Sequence, residues 1–238
     1  MLMAWALKEG DKAKGKQQEA CDMGTYVHNL LEAHIKGHDL NDIMKTATFD
    51  MLTIGQNALD NFKRWEDAVR PEFIEIEYTI ISEEHNWGGT ADFIVRIPEE
   101  TEYNSCIYRP GTYLGDFKTS KGVYREHLIQ VAAYIEGIKE MNTYSSSVRD
   151  AIVQSNKKIK TIKNLSLNRL ELEPEAIIIH INKDITVDES KVIESHIIQP
   201  DMLGEALNDW YLALEMNKRK NMFDRYINGL NGFTSRKK

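Results

Sequence analysis

The sequence predicts an α/β fold, an α/β/α sandwich with a central mixed sheet and an N-terminal helical region. Three observations carry that expectation. Residues 24–68 place apolar side chains at helical spacing. Three runs rich in β-branched and aromatic residues follow, at 73–81, 90–97 and 112–118. A helical stretch, a second strand region and a further helix complete the order, and that mixture argues for helices layered on a sheet.

The first helix is expected at 24–36, where Tyr26, Val27, Leu30 and Leu31 recur at helical spacing. Gly24 lies one turn before His28, where a small residue permits close backbone approach. A second helix is expected at 42–68, with Phe49, Leu52, Leu59, Phe62 and Trp65 as core contacts and Pro71 as its stop. In the strand Phe73–Ile81, alternation sets Glu75 and Glu77 on one face and Ile74, Ile76 and Tyr78 on the other. The turn-rich Ser82–Gly89 leads into the strand at 90–97. Pro98, Asn104, Pro110 and Gly111 mark the next stretch as an inserted hairpin tip or a loop before the strand at 112–118.

A helix is then expected from Val123 to Glu140, with His127, Gln130 and Tyr134 on one stripe. Glu175–Ile181 is a nearly continuous apolar run between Pro174 and Asn182-Lys183-Asp184, as in a strand buried on both faces. Residues 191–198 extend the sheet and a helix at 202–220 closes it. His180 and His196, in these last strands, are expected to be structural. The regions are 1–70 (helical), 71–220 (core) and 221–238 (basic tail).

Composition fits one ordinary domain with appendages: 238 residues, 42% hydrophobic and 28% charged. The apolar start Met1–Leu7 is too short for a signal peptide, and no run reaches the roughly 18 apolar residues of a membrane span. A soluble cytoplasmic protein is expected, with Cys21 and Cys106 as free thiols. The net charge of −7 is unevenly spread, since Glu215–Lys238 carries seven basic residues against two acidic. That end, and the cluster Lys157, Lys158, Lys160 and Lys163, are each candidates for gripping a phosphate backbone or are simply solvated surface.

The chemistry is concentrated between Trp87 and Lys121. Gly89-Thr90-Ala91-Asp92 belongs to one strand and Asp116-Phe117-Lys118 to another. Asp116 and Lys118 share a strand face while Phe117 points to the opposite layer. Pairing of the two strands would bring Asp92 and Asp116 together as a hard oxygen site for Mg²⁺ or Mn²⁺.

The ordered set Gly24-x-x-x-His28, Glu77, Gly89-x-x-Asp92, Asp116-x-Lys118 and Gln130-x-x-x-Tyr134 resembles the RecB-type branch of the PD-(D/E)xK nuclease superfamily. That branch includes the CRISPR-associated adaptation nuclease and the mitochondrial genome maintenance exonuclease. The resemblance covers about residues 24–134 and implies a restriction-endonuclease-like core. It implies that His28, Asp92, Asp116 and the Phe117 carbonyl ligate one ion, and that Glu77 serves a second ion or a nearby water. Lys118 would orient or deprotonate the attacking water. Gln130 and Tyr134 would contact the scissile phosphate or its neighbour, with Lys121 and Arg125 on the backbone.

One or two Mg²⁺ or Mn²⁺ ions are thus expected. With two cysteines, the four-cysteine iron-sulfur cluster of several family members is not expected. The implied activity is DNA exonuclease cleavage leaving 5′-phosphates, in recombination, repair or phage DNA processing, inside a bacterial or phage-infected cell. Implied partners are single- or double-stranded DNA and a helicase, recombinase or single-strand-binding protein. A structure-selective endonuclease such as a junction resolvase, or a non-catalytic DNA-binding scaffold, are the alternatives. No Gly-x-x-x-x-Gly-Lys-Ser/Thr motor loop is present.

Overall fold

The computed structural model describes residues 2–144, 170–172, 175–184, 186–188 and 191–234, with side chains for residue 15 and for 17–222 among these. Three helices lead: α1 (Leu2–Ile35), α2 (Asn41–Met44) and α3 (Phe49–Val69). Next come β1 (Glu72–Ser82), β2 (Trp87–Ile97), the short β3 (Thr101–Tyr103) and β4 (Cys106–Tyr108), and β5 (Gly111–Lys118). Helix α4 (Arg125–Thr143), strands β6 (Ala176–Ile181) and β7 (Ile193–Ile198), and helix α5 (Pro200–Thr234) complete the order.

Five strands form one sheet in the order β1-β2-β5-β6-β7. Among the described strands only the β5–β6 pairing of this sheet is parallel, so the sheet is mixed. Its two faces feed separate cores. Val27, Leu30, Leu59, Phe62 and Trp65 of α1 and α3 pack with Phe93, Phe117 and Ile179 on one side. Val131, Ile135 and Ile138 of α4 and Leu203 and Ala206 of α5 pack with Ile80, Leu114 and Ile178 on the other. Strand β6 is buried along its whole length, which is why it reads as an unbroken apolar run.

Several sequence expectations need correction. Helix α1 begins at Leu2, not near residue 24. Residues 8–22 are largely Lys, Glu, Gln and Ala, good helix formers without an apolar stripe, and Gln18 donates to Asp22 one turn on. The helix expected at 42–68 is two: Thr48 starts α3 by accepting the Met51 amide hydrogen at 3.3 Å. Phe49 is therefore in the first turn and 81% exposed, and Leu52 is also exposed, so neither is a core contact. Leu59, Phe62 and Trp65 are buried as expected. Helix α3 ends on Arg70 in the left-handed region, just before Pro71.

The stretch from Pro98 to Gly111 is a hairpin, β3–β4, whose two turn residues Asn104 and Ser105 both have positive φ. Trp65 Nε1 donates to Tyr108 Oη at 2.8 Å and fastens this hairpin to α3. Helix α5 continues past residue 220 to Thr234, where the sequence suggested a separate tail. Lys157, Lys158, Lys160, Lys163, Pro174 and residues 235–238 lie outside the described residues. Among the described residues no helix is long and apolar enough to cross a membrane.

Candidate active site

Strands β2 and β5 pair from Ile97↔Gly111 to Phe93↔Gly115, and the ladder stops just before the register position that sets Asp92 opposite Asp116. In place of a backbone carbonyl, Asp92 Oδ2 accepts the Phe117 amide hydrogen at 2.6 Å. The strands are thus held together at this point by a carboxylate. Alternation slips at the same place. Phe93 belongs to the α1/α3 core, whereas Ala91, two residues earlier, belongs to the α4/α5 core.

Strand β1 is irregular at the matching position. The register Ile76↔Phe93 and Tyr78↔Ala91 sets Glu77 opposite Asp92, and Glu77 has a φ of 55°. A side chain other than glycine in that left-handed region costs about 1–3 kcal/mol, a strain held only where the surroundings enforce it. With a bulge between Phe73 and Glu75 as well, regular alternation fails. Ile76 and Glu77 both line one small cleft with His28, Glu32, Asp92 and Phe117, which corrects the expected segregation of Glu77 from Ile76. Ile74, set by alternation on the face opposite Glu75, is 43% exposed.

Helix α1 delivers the histidine. Gly24 is needed because a Cβ there would sit 2.9 Å from Thr119 Oγ1, so it lets α1 close on the end of β5. One turn later His28 Nδ1 is 3.5 Å from Asp92 Oδ2, and its ring lies edge-on to Phe117 with centroids 5.8 Å apart. Phe117 is in turn wedged against Phe62 and Phe93. The residue between Asp116 and Lys118 therefore anchors the site to the aromatic core.

On the opposite face, Asp116 is 1% exposed. Lys118 Nζ lies 2.5 Å from its Oδ2 as a close ion pair. Lys118 also donates to Gln130 Oε1 at 2.8 Å, and Gln130 Nε2 donates to Tyr134 Oη at 2.9 Å. Tyr134 is nearly buried, stacked on Trp87, and lies against Gly89, where a Cβ would come within 2.6 Å of its ring. The small residue that opens Gly89-x-x-Asp92 thus seats the tyrosine. Gln130 and Tyr134 are engaged in holding Lys118.

The electrostatics are those of crowded carboxylates. Burial, then the neighbouring Asp92, push the Asp116 carboxyl up to about 6, against the opposing pull of Lys118. Burial and then Glu32 raise Glu77, with Asp92 adding to the effect. For His28, burial acts to lower the pKa, but the Asp92 carboxylate outweighs it and the net direction is upward. Such a site favours a proton or a cation.

The structure gathers His28, Glu77, Asp92 and Phe117 in one cleft and links Asp116, Lys118, Gln130 and Tyr134 on the other face of β5, with Asp92 and Asp116 at facing register positions between the two sets. Lys121 is exposed just beyond β5. Arg125 Nε lies 2.5 Å from Asp209 Oδ2, which ties it to α5 and raises its pKa. The sequence reading missed Glu32. It lies one turn after His28 on the same face of α1, lines the cleft with Glu77 and is paired with Lys36. Its spacing of four from His28 was the available signal. A wider cleft of about 720 Å³ between α1, α3 and the segment after β6 gathers Glu19, Asp22, Asp50, Asp184 and Lys183 without a histidine.

No protein-family model and no curated protein matches this chain.

Proposed function

We propose that this protein is a metal-dependent deoxyribonuclease with a restriction-endonuclease-like core, acting as an exonuclease of the RecB type and leaving 5′-phosphates. The carrying observation is Asp116: a carboxylate 1% exposed, in register with Asp92 and ion-paired to Lys118 two residues on. A buried carboxylate beside a second, half-buried one is costly unless a cation compensates it.

The donor chemistry suits a divalent ion. Asp116 is buried with Lys118 as its ion-pair partner, and Asp92, His28 and the Phe117 carbonyl would complete a mostly oxygen set suited to Mg²⁺ or Mn²⁺. When bound there, the ion supplies Lewis-acid charge at the phosphoryl oxygens. Glu77 and Glu32 at the outer side of the cleft would serve a second ion or hold a water by accepting its hydrogens.

Hydrolysis needs an attacking water deprotonated and aligned with the leaving oxygen, and it builds charge on the nonbridging oxygens. Lys118 is the residue placed for both. Its ammonium is fixed by Asp116 and Gln130, so it can offset phosphate charge and orient the attacking water without reorganising, whereas deprotonating that water would require Lys118 as its neutral amine. Gln130 and Tyr134 set the position of that amine. Lys121, and Lys218, Arg219 and Lys220 exposed on α5, are candidate contacts for the DNA backbone.

The test is degradation of end-labelled linear DNA, single- and double-stranded, and of closed circular DNA, with Mg²⁺, Mn²⁺ or EDTA. Metal-dependent shortening from the ends, absent on circles and lost in Asp92→Asn and Lys118→Ala, is expected. Cleavage of circles would instead favour the endonuclease, and full activity in both variants would refute the site.

A further inference from the structure

Beside Lys118 a second polar row crosses the sheet. Lys118 is opposite His180 in the parallel β5–β6 ladder, His180 is opposite Glu194 across β6–β7, and His196 is opposite Ile178 two residues away. All four residues therefore share the face that carries Ile178 and packs under α4. His180 is 4% exposed within a strand otherwise built of alanine and isoleucine. A polar ring so placed needs partners.

The partners are specific. His180 Nε2 is 2.8 Å from the Ser120 carbonyl oxygen. A carbonyl only accepts, so Nε2 carries the hydrogen and Nδ1 faces Glu194 Oε2 at 3.4 Å. One ligand atom from each of His180, Glu194 and His196 lies within 4.8 Å of the others. Two independent features point to an ion here. A ring whose far N–H is held by a backbone carbonyl is the arrangement that orients a ligating imidazole. The 3.4 Å gap is long for a charge-assisted hydrogen bond, yet close to the roughly 3.3 Å separating two ligands on a tetrahedral ion with bonds of about 2.0–2.1 Å.

We propose that His180 Nδ1, a carboxylate oxygen of Glu194 and a ring nitrogen of His196 bind one divalent transition-metal ion of the zinc class. Two imidazoles and one carboxylate select Zn²⁺ or Co²⁺ over Mg²⁺, unlike the oxygen-rich set at Asp92 and Asp116. Three protein ligands leave one position for water. The ion fastens the edge strand β7 to β6 and, through Ser120, to the segment that leaves Lys118. It is a stabilising and positioning site, and it does not depend on the nuclease reading.

Cobalt titration of EDTA-treated full-length protein, in excess Mg²⁺, tests this. Expected are one equivalent bound with the intense visible absorption of four-coordinate Co²⁺, its displacement by Zn²⁺, and a higher Tm with Zn²⁺. Glu194→Gln and His196→Gln lose all three, whereas Asp92→Asn keeps them. Circular dichroism establishes that the variants are folded. If either fails to fold, ¹⁵N shifts of the His180 ring in wild type decide, with a Zn²⁺-dependent change at Nδ1 expected. An imidazolium unchanged by Zn²⁺, no Co²⁺ bound, or binding abolished by Asp92→Asn but kept in Glu194→Gln would each overturn the proposal.

Discussion

Replacing Asp116 by Asn should make the metal-free protein more stable while removing its capacity to use a metal. The Asp116 carboxyl is raised from 3.8 to about 6 by burial and by Asp92, a rise that already includes the opposing effect of Lys118. At 1.36 kcal/mol per unit, ionising it in the fold costs about 3 kcal/mol. A carboxyl with a raised folded pKa binds its proton more tightly in the folded than in the unfolded chain. Wild type therefore loses that stability as pH climbs from about 4 to about 6, and the loss is complete above it. Asparagine keeps nearly the same shape and never ionises. Near pH 7 in EDTA, Asp116→Asn should exceed wild type by about 1–3 kcal/mol, or roughly 3–10 °C in Tm for a chain of this size.

Adding Mn²⁺ should reverse the order, since an ion that binds only the folded wild type stabilises it by mass action. Differential scanning fluorimetry across pH, with EDTA or Mn²⁺, reads both effects. An Asp116→Asn variant that melts below wild type in EDTA at neutral pH, or gains as much from Mn²⁺, would refute the reasoning.

Lys118→Ala should lower kcat by about 10²–10⁴ while Mn²⁺ affinity changes little, as single-turnover kinetics beside calorimetry would show. Lys118→Arg should not restore the rate, because the planar fork does not fit a site set by Asp116 and Gln130 for an ammonium. The His28 ring should titrate above its ordinary 6.5 in EDTA by NMR and return toward it in Asp92→Asn. Stability from that pairing is complete below the unfolded value and is lost as pH rises through the folded one. Gly115→Ala should destabilise by about 1–3 kcal/mol or more in thermal melts, since its Cβ would fall 1.8 Å from the Phe93 ring.

What the sequence revealed follows from what its periodicities can encode. The strands at 90–97 and 112–118 were legible because β-branched and aromatic residues are concentrated there. The placement of Asp116 and Lys118 on one face followed from the strand period alone. The break in alternation at Glu77 and Asp92 was not legible, because it arises when a side-chain carboxylate replaces a ladder carbonyl. Nothing in Glu-Ile-Glu-Tyr specifies a left-handed φ. The early start of α1 was hidden by the absence of an apolar stripe, and the break before α3 by Phe49 and Leu52 continuing a helical pattern that in fact faces solvent. Glu32 was within reach as the residue four after His28 on one helix face, whereas the row from His180 to His196 depends on the pairing of separate strands, which no local periodicity specifies.

The central claim is that Asp92, Asp116 and His28 hold a divalent cation. Anomalous scattering from crystals of the wild-type protein soaked in Mn²⁺ tests it most directly. A Mn²⁺ peak is expected within about 2.5 Å of a carboxylate oxygen of both Asp92 and Asp116, with His28 on its edge, and no such peak in Asp116→Asn. Well-ordered side chains of these three residues with no peak among them at saturating Mn²⁺ would contradict it.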